Sequence, residues 1–559
     1  MDFELLLTHA DDRRPMLEDA LPLDAASHQP RPAQPPKPPQ EKKRTSAEDE
    51  LIRPDRDPNS LPDQRWGVVV PEGPLGDRLL ALIEPLRGLR AEEQGAPTRV
   101  YRAPPGLDGM QAARWKDTVL CNEDEFETEQ PAYLLILGDF DLVSLELQQV
   151  LGSGGFAGRL AFSSEAGYEA YVDKVLRWSR SPSPSRRARP LLFTAHDRTA
   201  ATIVGYEALM APSLQSLRRK QEEGGLSAEP PAELGEPASW SVQQLLTQVA
   251  SPQPSVLFTM SHGLGVPRRG WRSVEEQRAR QGAMSLGTEG TLEASALANT
   301  PFLPGGLWFF LACFGAGTPA RSAYYPWLAR LHEAGEYPGR LERLLAALPR
   351  EGERPFVAAL PQAALANPHG PLAVMGHVDL AWTYSFQDMG RAARDRPSRF
   401  LGLLSSLVEG SRAGVGLSAL LRSFNVANTE LTTLYDQEEF ARRAGRDSPV
   451  DSVELAHLWM LRHDLAGYIL LGDPAVRLPL TRAEASLSLS RQERTQAAMA
   501  GALSSVESMA EAVLAMLSGR EPESDMAQRV GVPLEELRRW RKAFMEAGLK
   551  ALAELRSPG

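Results

Sequence analysis

Cysteine is nearly absent from this chain: Cys121 and Cys313 are the only two in 559 residues. Two thiols give no disulfide framework, and a chain this long without one is expected in a reducing compartment, where a free thiol persists. Long apolar runs are missing as well. No stretch reaches the roughly eighteen residues that cross a bilayer, and the opening Met1-Asp-Phe-Glu-Leu-Leu-Leu7 has no basic segment leading into an apolar one. Secretion and a membrane partner are therefore not expected, and the expected location is the cytoplasm. Positive charge is not in excess, because 61 Lys and Arg stand against 72 Asp and Glu for a net charge of −11. That balance argues against a protein that coats nucleic acid or anionic lipid through its overall field, so any such contact must be local. Cofactor signatures are missing too. No cluster has metal-ligand spacing, no nucleotide fingerprint is present, and Gly152-Ser-Gly-Gly-Phe156 has neither the lysine nor the spacing of a phosphate-binding loop. No metal and no cofactor is expected.

What is present is enough apolar sequence for a large core: 42% hydrophobic and 24% charged residues, in a length that suits two to four domains. Residues 1–64 read as a flexible leader, polar and proline-rich, with Pro30, Pro32, Pro35, Pro36, Pro38 and Pro39 ahead of Glu41-Lys-Lys-Arg44. From Trp66 strand and helix patterns alternate, with strands at 66–71, 98–102, 132–137 and 158–162 and helices at 75–90, 107–118, 141–151 and 165–179. Such alternation predicts a parallel sheet with helices on both faces. Residues 65–180 are thus a first α/β subdomain, ended by Ser181-Pro-Ser-Pro-Ser-Arg-Arg187. A second α/β unit spans 188–480. It opens with a strand at 190–195, continues with helices near 200–222 and 239–250 and two apolar strands, then helices near 321–348, strands at 355–360 and 371–378, and three helices between 389 and 470. Residues 485–559 read as all-helical.

The two apolar strands carry the chemistry. Val256-Leu-Phe-Thr-Met-Ser-His262-Gly263 and Leu307-Trp-Phe-Phe-Leu-Ala-Cys313-Phe-Gly315 each read as a buried parallel strand that stops at a reactive side chain and is followed by glycine. At the carboxyl ends of neighbouring strands, both side chains project into the crevice where open α/β sheets bind ligands. A nucleophilic cysteine must become a thiolate beside a base, and His262 supplies one. The amides of Gly263 and Cys313 then point at a developing oxyanion. No third side chain is required. A lone strand-end histidine or a lone buried cysteine is more often structural, but the pair in this order outweighs that reading. Cys121 precedes the acidic Asn122-Glu-Asp-Glu-Phe-Glu127, which raises a thiol pKa, and serves as the control residue.

These residues carry a resemblance. Ser261-His-Gly263 and Ala312-Cys-Phe-Gly-Ala-Gly317 are similar to the motifs of the caspase/gingipain superfamily of cysteine peptidases, with the histidine 51 positions upstream (313 − 262) as in caspases. Gln281-Gly-Ala-Met-Ser-Leu-Gly287 with Thr291-Leu-Glu-Ala-Ser-Ala296 resembles the hairpin and helix of the bacterial caspase-like branch called CHAT. Tyr468-Ile-Leu-Leu-Gly-Asp-Pro-Ala-Val-Arg-Leu478 resembles the end of gingipain-type catalytic domains, which also place a related α/β subdomain first. The resemblance covers about residues 66–480. It implies a caspase-like open, mostly parallel sheet and a cysteine endopeptidase. It further implies His262 and Cys313 as dyad, Gly263 and Cys313 amides as oxyanion hole, and Met260 and Leu311 lining the first specificity pocket. Trp382, six residues after Gly376, has the spacing of a gingipain pocket wall.

Caspases carry Gln where this chain has Leu311, so their aspartate preference is not expected. An acidic floor selecting Arg or Lys is the alternative, with Asp379 ranked before Asp197; each also reads as a turn or cap residue. Without such a floor the same walls suit Leu or Met. The partners expected are a protein substrate and an activating protein. In the last unit, residues 526–544 resemble a helix-turn-helix, with Gly531 at the turn and Pro533 opening the second helix. Between 520 and 559 eight Lys/Arg face seven Asp/Glu, and Glu535 and Glu536 sit where phosphates would approach, so protein docking is expected ahead of DNA binding. The competing reading of the whole is a DNA-binding or docking regulator with a vestigial peptidase fold.

Overall fold

The computed structural model describes residues 2–30, 51–121, 129–181, 183–235, 240–335, 337, 340–386, 397–481, 534–535 and 537–542. The chain divides into two compact units, Met1–Thr481 and Arg482–Gly559.

Ten strands of the first unit form one sheet: β1 (Trp66–Pro71), β2 (Arg99–Ala103), β3 (Tyr133–Leu137), β4 (Phe156–Leu160), β5 (Arg189–Thr194), β6 (Ala232–Leu234), β7 (Ser255–Met260), β8 (Leu307–Leu311), β9 (Ala373–His377) and β10 (Tyr468–Gly472). Their order is β2-β1-β3-β4-β10-β9-β8-β7-β5-β6. The central strands are apolar on both faces because helices cover both, and β7 and β8 are buried along their whole length. Neighbours pair in parallel except β9 with β10, which are antiparallel. The two α/β halves expected at 65–180 and 188–480 therefore share a single sheet whose direction reverses at β10. As a result the carboxyl ends of β1–β4 and of β5–β9 lie at opposite edges, and the crevice above β7, β8 and β9 belongs to the second half.

Asp473, just after β10, ties the halves together. Its carboxylate pairs with Arg90 at 2.7 Å and accepts from Trp66 Nε1 at 2.9 Å, while its own N–H donates to Tyr171 Oη. All of these groups are buried, and removing one partner of such a pair strands a charge away from water.

Three departures from the sequence expectation have local causes. Helix 75–90 is two helices, Pro74–Leu82 and Glu84–Gln94, because Pro85 has no N–H to continue the first and fits the opening turn of the second. The strand expected at 355–360 is only Phe356–Val357, after which an alanine-rich stretch forms the helix Ala359–Ala366. The third lies in the leader. Residues 2–30 and 51–64 are ordered, with short strands at Asp2–Phe3, Leu7–His9 and Leu21–Pro22, and Phe3, Leu5, Leu6 and Leu7 are buried. The apolar run at its start supplies the burial that the proline-rich average conceals.

The proline cluster from 32 to 39 lies outside the described residues. So does the helix-turn-helix reading, Gly531 and Glu536 included, apart from residues 534–535 and 537–542, which are helical. Among the described residues no helix is long and apolar enough to cross a membrane.

Candidate active site

Strands β7 and β8 pair in parallel with Met260 directly opposite Leu311, so His262 and Cys313, two positions further on, leave the sheet side by side. Ser261 N–H still reaches Leu311 C=O at 3.2 Å. Beyond it the backbones close up. A Cβ placed on Gly263 would lie 1.9 Å from the Cys313 carbonyl oxygen, so only glycine permits this approach. The turn after the cysteine is strained: Phe314 holds φ of 55°, which a bulky side chain seldom adopts. Phe314 N–H is held by Asp379 C=O and Ala316 N–H by His377 C=O, which fixes the turn to the end of β9.

His262 is fully buried and is oriented by a turn the sequence reading had assigned no part in the dyad. The Asp197 carboxylate accepts from the N–H and hydroxyl of Thr199 and from the Thr202 hydroxyl, while Thr199 caps the helix Ala200–Gly205. Thr199 Oγ1 lies 2.8 Å from His262 Nε2, and Asp197 Oδ2 lies 3.7 Å from the same nitrogen. A carboxylate only accepts, so the hydroxyl proton of Thr199 goes to Asp197 and the threonine oxygen accepts from Nε2–H. That network assigns the Nε2–H tautomer and leaves the lone pair on Nδ1, which is buried and has no partner. Asp197, considered as a pocket floor, thus stands behind the histidine. Asp-x-Thr is recognisable in sequence as a cap; nothing local signals that it meets a residue 63 positions away.

The Cys313 thiol is fully buried, donates to Ala381 C=O at 3.4 Å and accepts from Ala381 N–H at 3.0 Å. Burial pushes its pKa well above the ordinary thiol value, opposed by the Ala381 N–H and reinforced by the Asp379 and Asp464 carboxylates. Burial likewise lowers the His262 pKa, against the pull of Asp197. Both shifts favour the neutral forms, thiol and imidazole.

The amides of Gly263 and Cys313 converge on one oxygen, the carbonyl of Leu6, at 3.0 and 3.3 Å. Residues on either side of Leu6 continue along the crevice. Leu6 N–H donates to Ala381 C=O, Leu5 bridges Trp382 in antiparallel fashion, and Glu4 and Thr383 exchange hydrogen bonds at 2.9 Å each. On the other side Leu7–His9 runs parallel to His262–Gly265, with Leu7 opposite Gly263.

The remaining pocket residues are spread around this segment. Met260 and Leu311 are buried; the Met260 sulfur lies against Gly205. Trp382 is buried against Phe3 with ring centroids 5.4 Å apart. Asp379 is buried beneath the turn, where its carboxylate accepts from Ser322 Oγ, Ala323 N–H and Leu380 N–H at 2.7–2.8 Å. Those donors come from the chain itself, so the carboxylate is committed to holding the loop. His377 bridges Asp379 and Asp464 backbone atoms and is structural. Among the described residues no group of three or more His, Cys, Asp or Glu is placed to hold a metal.

No protein family and no curated protein matches the sequence. Among solved structures, one described as "Structure of Protease" aligns at 14% identity and a TM-score of 0.42, over 77% of this chain and 80% of that one. The Arg-specific cysteine proteinase gingipain R aligns at 11% and 0.41, over 74% and 78%. A complex of the pro- and mature domains of the Porphyromonas gingivalis protein RgpB aligns at 10% and 0.40, over 74% and 79%. Alignments this distant do not identify function, and the chemistry of the site rests on its own geometry.

Proposed function

We propose that this chain is a cysteine endopeptidase of the caspase/gingipain type, similar to the CHAT branch, acting in the cytoplasm on protein substrates. The observation that carries the reading is the pair of amides, Gly263 and Cys313, converging on one peptide carbonyl beside the thiol of the same cysteine. Such donors stabilise charge that grows on the oxygen during attack, and their removal typically costs about 10²–10³ in rate. His262 Nδ1 takes the thiol proton as Cys313 Sγ adds to the carbonyl, and returns it to the leaving amine. Asp197, through Thr199, holds the ring and favours the imidazolium that forms. Water then hydrolyses the thioester and restores the thiol. An activating protein partner fits a site whose closed form is buried.

The test is hydrolysis of a mixed peptide library, together with labelling by a peptidyl electrophile, in the wild type and in Leu6→Asp. The second protein ensures that the chain's own segment cannot mask a working dyad. Cys313→Ala is expected to abolish cleavage and Cys121→Ala to leave it intact. Full activity in Cys313→Ala would exclude the assignment.

A further inference from the structure

We propose that the bond between Leu6 and Leu7 is this protein's own cleavage site, and that the residue it prefers on the acyl side of the scissile bond is leucine. The inference rests on the peptidase reading and adds its substrate class. It follows from the manner in which the segment lies in the crevice. The Gly263 bond is the ladder bond of the parallel pair Gly263–Leu7; the Cys313 amide, from a different strand, reaches the same oxygen in addition. Leu6 places its carbonyl oxygen 3.0 Å from Gly263 N and 3.3 Å from Cys313 N, and directs its own N–H to Ala381 C=O. These are the contacts a peptide needs for its carbonyl carbon to face Cys313.

The pose continues in both directions. On the acyl side, Glu4 donates its N–H to Thr383 Oγ1 and accepts from Thr383 N–H, so residues 4–6 meet 381–383 in strand-like fashion about an isolated antiparallel bridge. Phe3 ends this segment in a cage of Trp327, Trp382 and Tyr384, with ring centroids 5.4–6.1 Å away. On the amine side, Leu7–His9 pairs in parallel with His262–Gly265, the strand that carries the histidine. The Leu6 N–H and C=O and both backbone groups of Glu4 are thus bound.

Side-chain chemistry selects leucine. Leu6 is fully buried at the position of the residue before the scissile bond, and Asp379, the candidate acid for a cation there, is occupied by three donors, Ser322 Oγ, Ala323 N–H and Leu380 N–H. An arginine in that place could not draw on the Asp379 carboxylate, whereas leucine needs no counter-charge.

The step balances as an ordinary hydrolysis. The Cys313 thiol proton passes to His262 Nδ1, sulfur bonds to the Leu6 carbonyl carbon, and the bond to Leu7 nitrogen breaks as that nitrogen takes the proton. Water then adds to the thioester, leaving a Leu6 carboxylate, a new amino terminus at Leu7 and the thiol. Residues 7–9 remain paired with β-strand His262–Gly265, while the acyl-side fragment is held by non-covalent contacts alone and can exchange for another peptide ending in leucine.

The experiment is incubation of the full chain followed by mass spectrometry of its amino termini. A terminus at Leu7 is expected in the wild type and in Leu6→Met and is expected to be absent from Cys313→Ala. Leu6→Asp should lower the cut at least about tenfold, and the library should show leucine favoured over arginine by a similar factor. Thermal melting of each variant shows whether it folds, and Leu6→Met keeps the test open should Leu6→Asp melt early. An enzyme that hydrolyses the library yet never yields a terminus at Leu7, or that prefers arginine, overturns this inference alone. A cut that survives Cys313→Ala also overturns it. A protein that neither cleaves the library nor reacts with the electrophile, in the wild type or Leu6→Asp, removes the peptidase reading itself.

Discussion

Substituting alanine for Gly263 tests the close approach on which the site is built. The added Cβ would stand 1.9 Å from the Cys313 carbonyl oxygen and 2.9 Å from its carbonyl carbon, whereas ordinary contact begins near 3.4 Å. One backbone must therefore retreat by about 1.5 Å, and a displacement of about 1 Å at reacting groups can cost 10²-fold in rate. The two amides that share the Leu6 carbonyl belong to these two residues, so the retreat separates the donors from it. We expect kcat/KM on the best library peptide to fall at least about a hundredfold, with a folded protein by thermal melting. Gly88→Ala is the control: it lies in the helix Glu84–Gln94 with nothing within 4 Å of its added Cβ, and is expected to leave activity unchanged. Wild-type kcat/KM in Gly263→Ala, with an unchanged melting temperature, would refute the claimed contact between the two strand ends.

Further outcomes follow from the neighbours of the dyad. Thr199→Val removes the acceptor for His262 Nε2–H, and should lower kcat about tenfold or more with little change in KM and a shifted pH profile, measured by steady-state kinetics. Asp379→Asn turns one donor of the loop against an amide NH2 and should cost about 1–3 kcal/mol in denaturant unfolding without altering preference at the cleavage position; a changed preference would return Asp379 to the pocket. Because burial holds the Cys313 thiol protonated, iodoacetamide at neutral pH should modify Cys121 before Cys313 in the intact chain, as read by peptide mapping. His463 is held neutral by burial and by Arg462, with its pKa lowered to about 4. The unfolded state then binds the extra proton between about pH 6.5 and pH 4, so stability is intact above this window and declines through it as pH falls, by at most about 3 kcal/mol from this group. His463→Gln should flatten that part of the unfolding curve.

What the sequence made legible was whatever it encodes locally. Val256–Met260 and Leu307–Leu311 are continuous apolar blocks, and a polar reactive residue ending each one is visible without a structure; so are the strand positions from Trp66 to Thr194. The reversal of the sheet at Tyr468–Gly472 was not legible, because an apolar strand buried on both faces has the same composition in either direction. Asp197 was visible as a turn or cap residue, but Thr199 was not singled out, and the approach of both to His262 depends on β5 and β7 being neighbours. Leu6 was hidden for a different reason. Its carbonyl meets amides more than 250 positions away, and its short apolar run is submerged in a proline-rich composition that reads as leader. Asp379 was ambiguous in turn, since a carboxylate at a strand end looks the same from sequence whether it faces a substrate or holds neighbouring segments of the chain.

The central claim is that Cys313 is a nucleophile whose crevice receives a leucyl peptide. It is tested most directly by treating the protein, wild type and Leu6→Asp, with a peptidyl electrophile carrying leucine next to the reactive carbonyl, and identifying the modified residue by mass spectrometry. The account predicts a single adduct on Cys313, formed at least about tenfold faster in Leu6→Asp and absent from His262→Ala. An adduct confined to Cys121, or none on Cys313 in either protein, would contradict it.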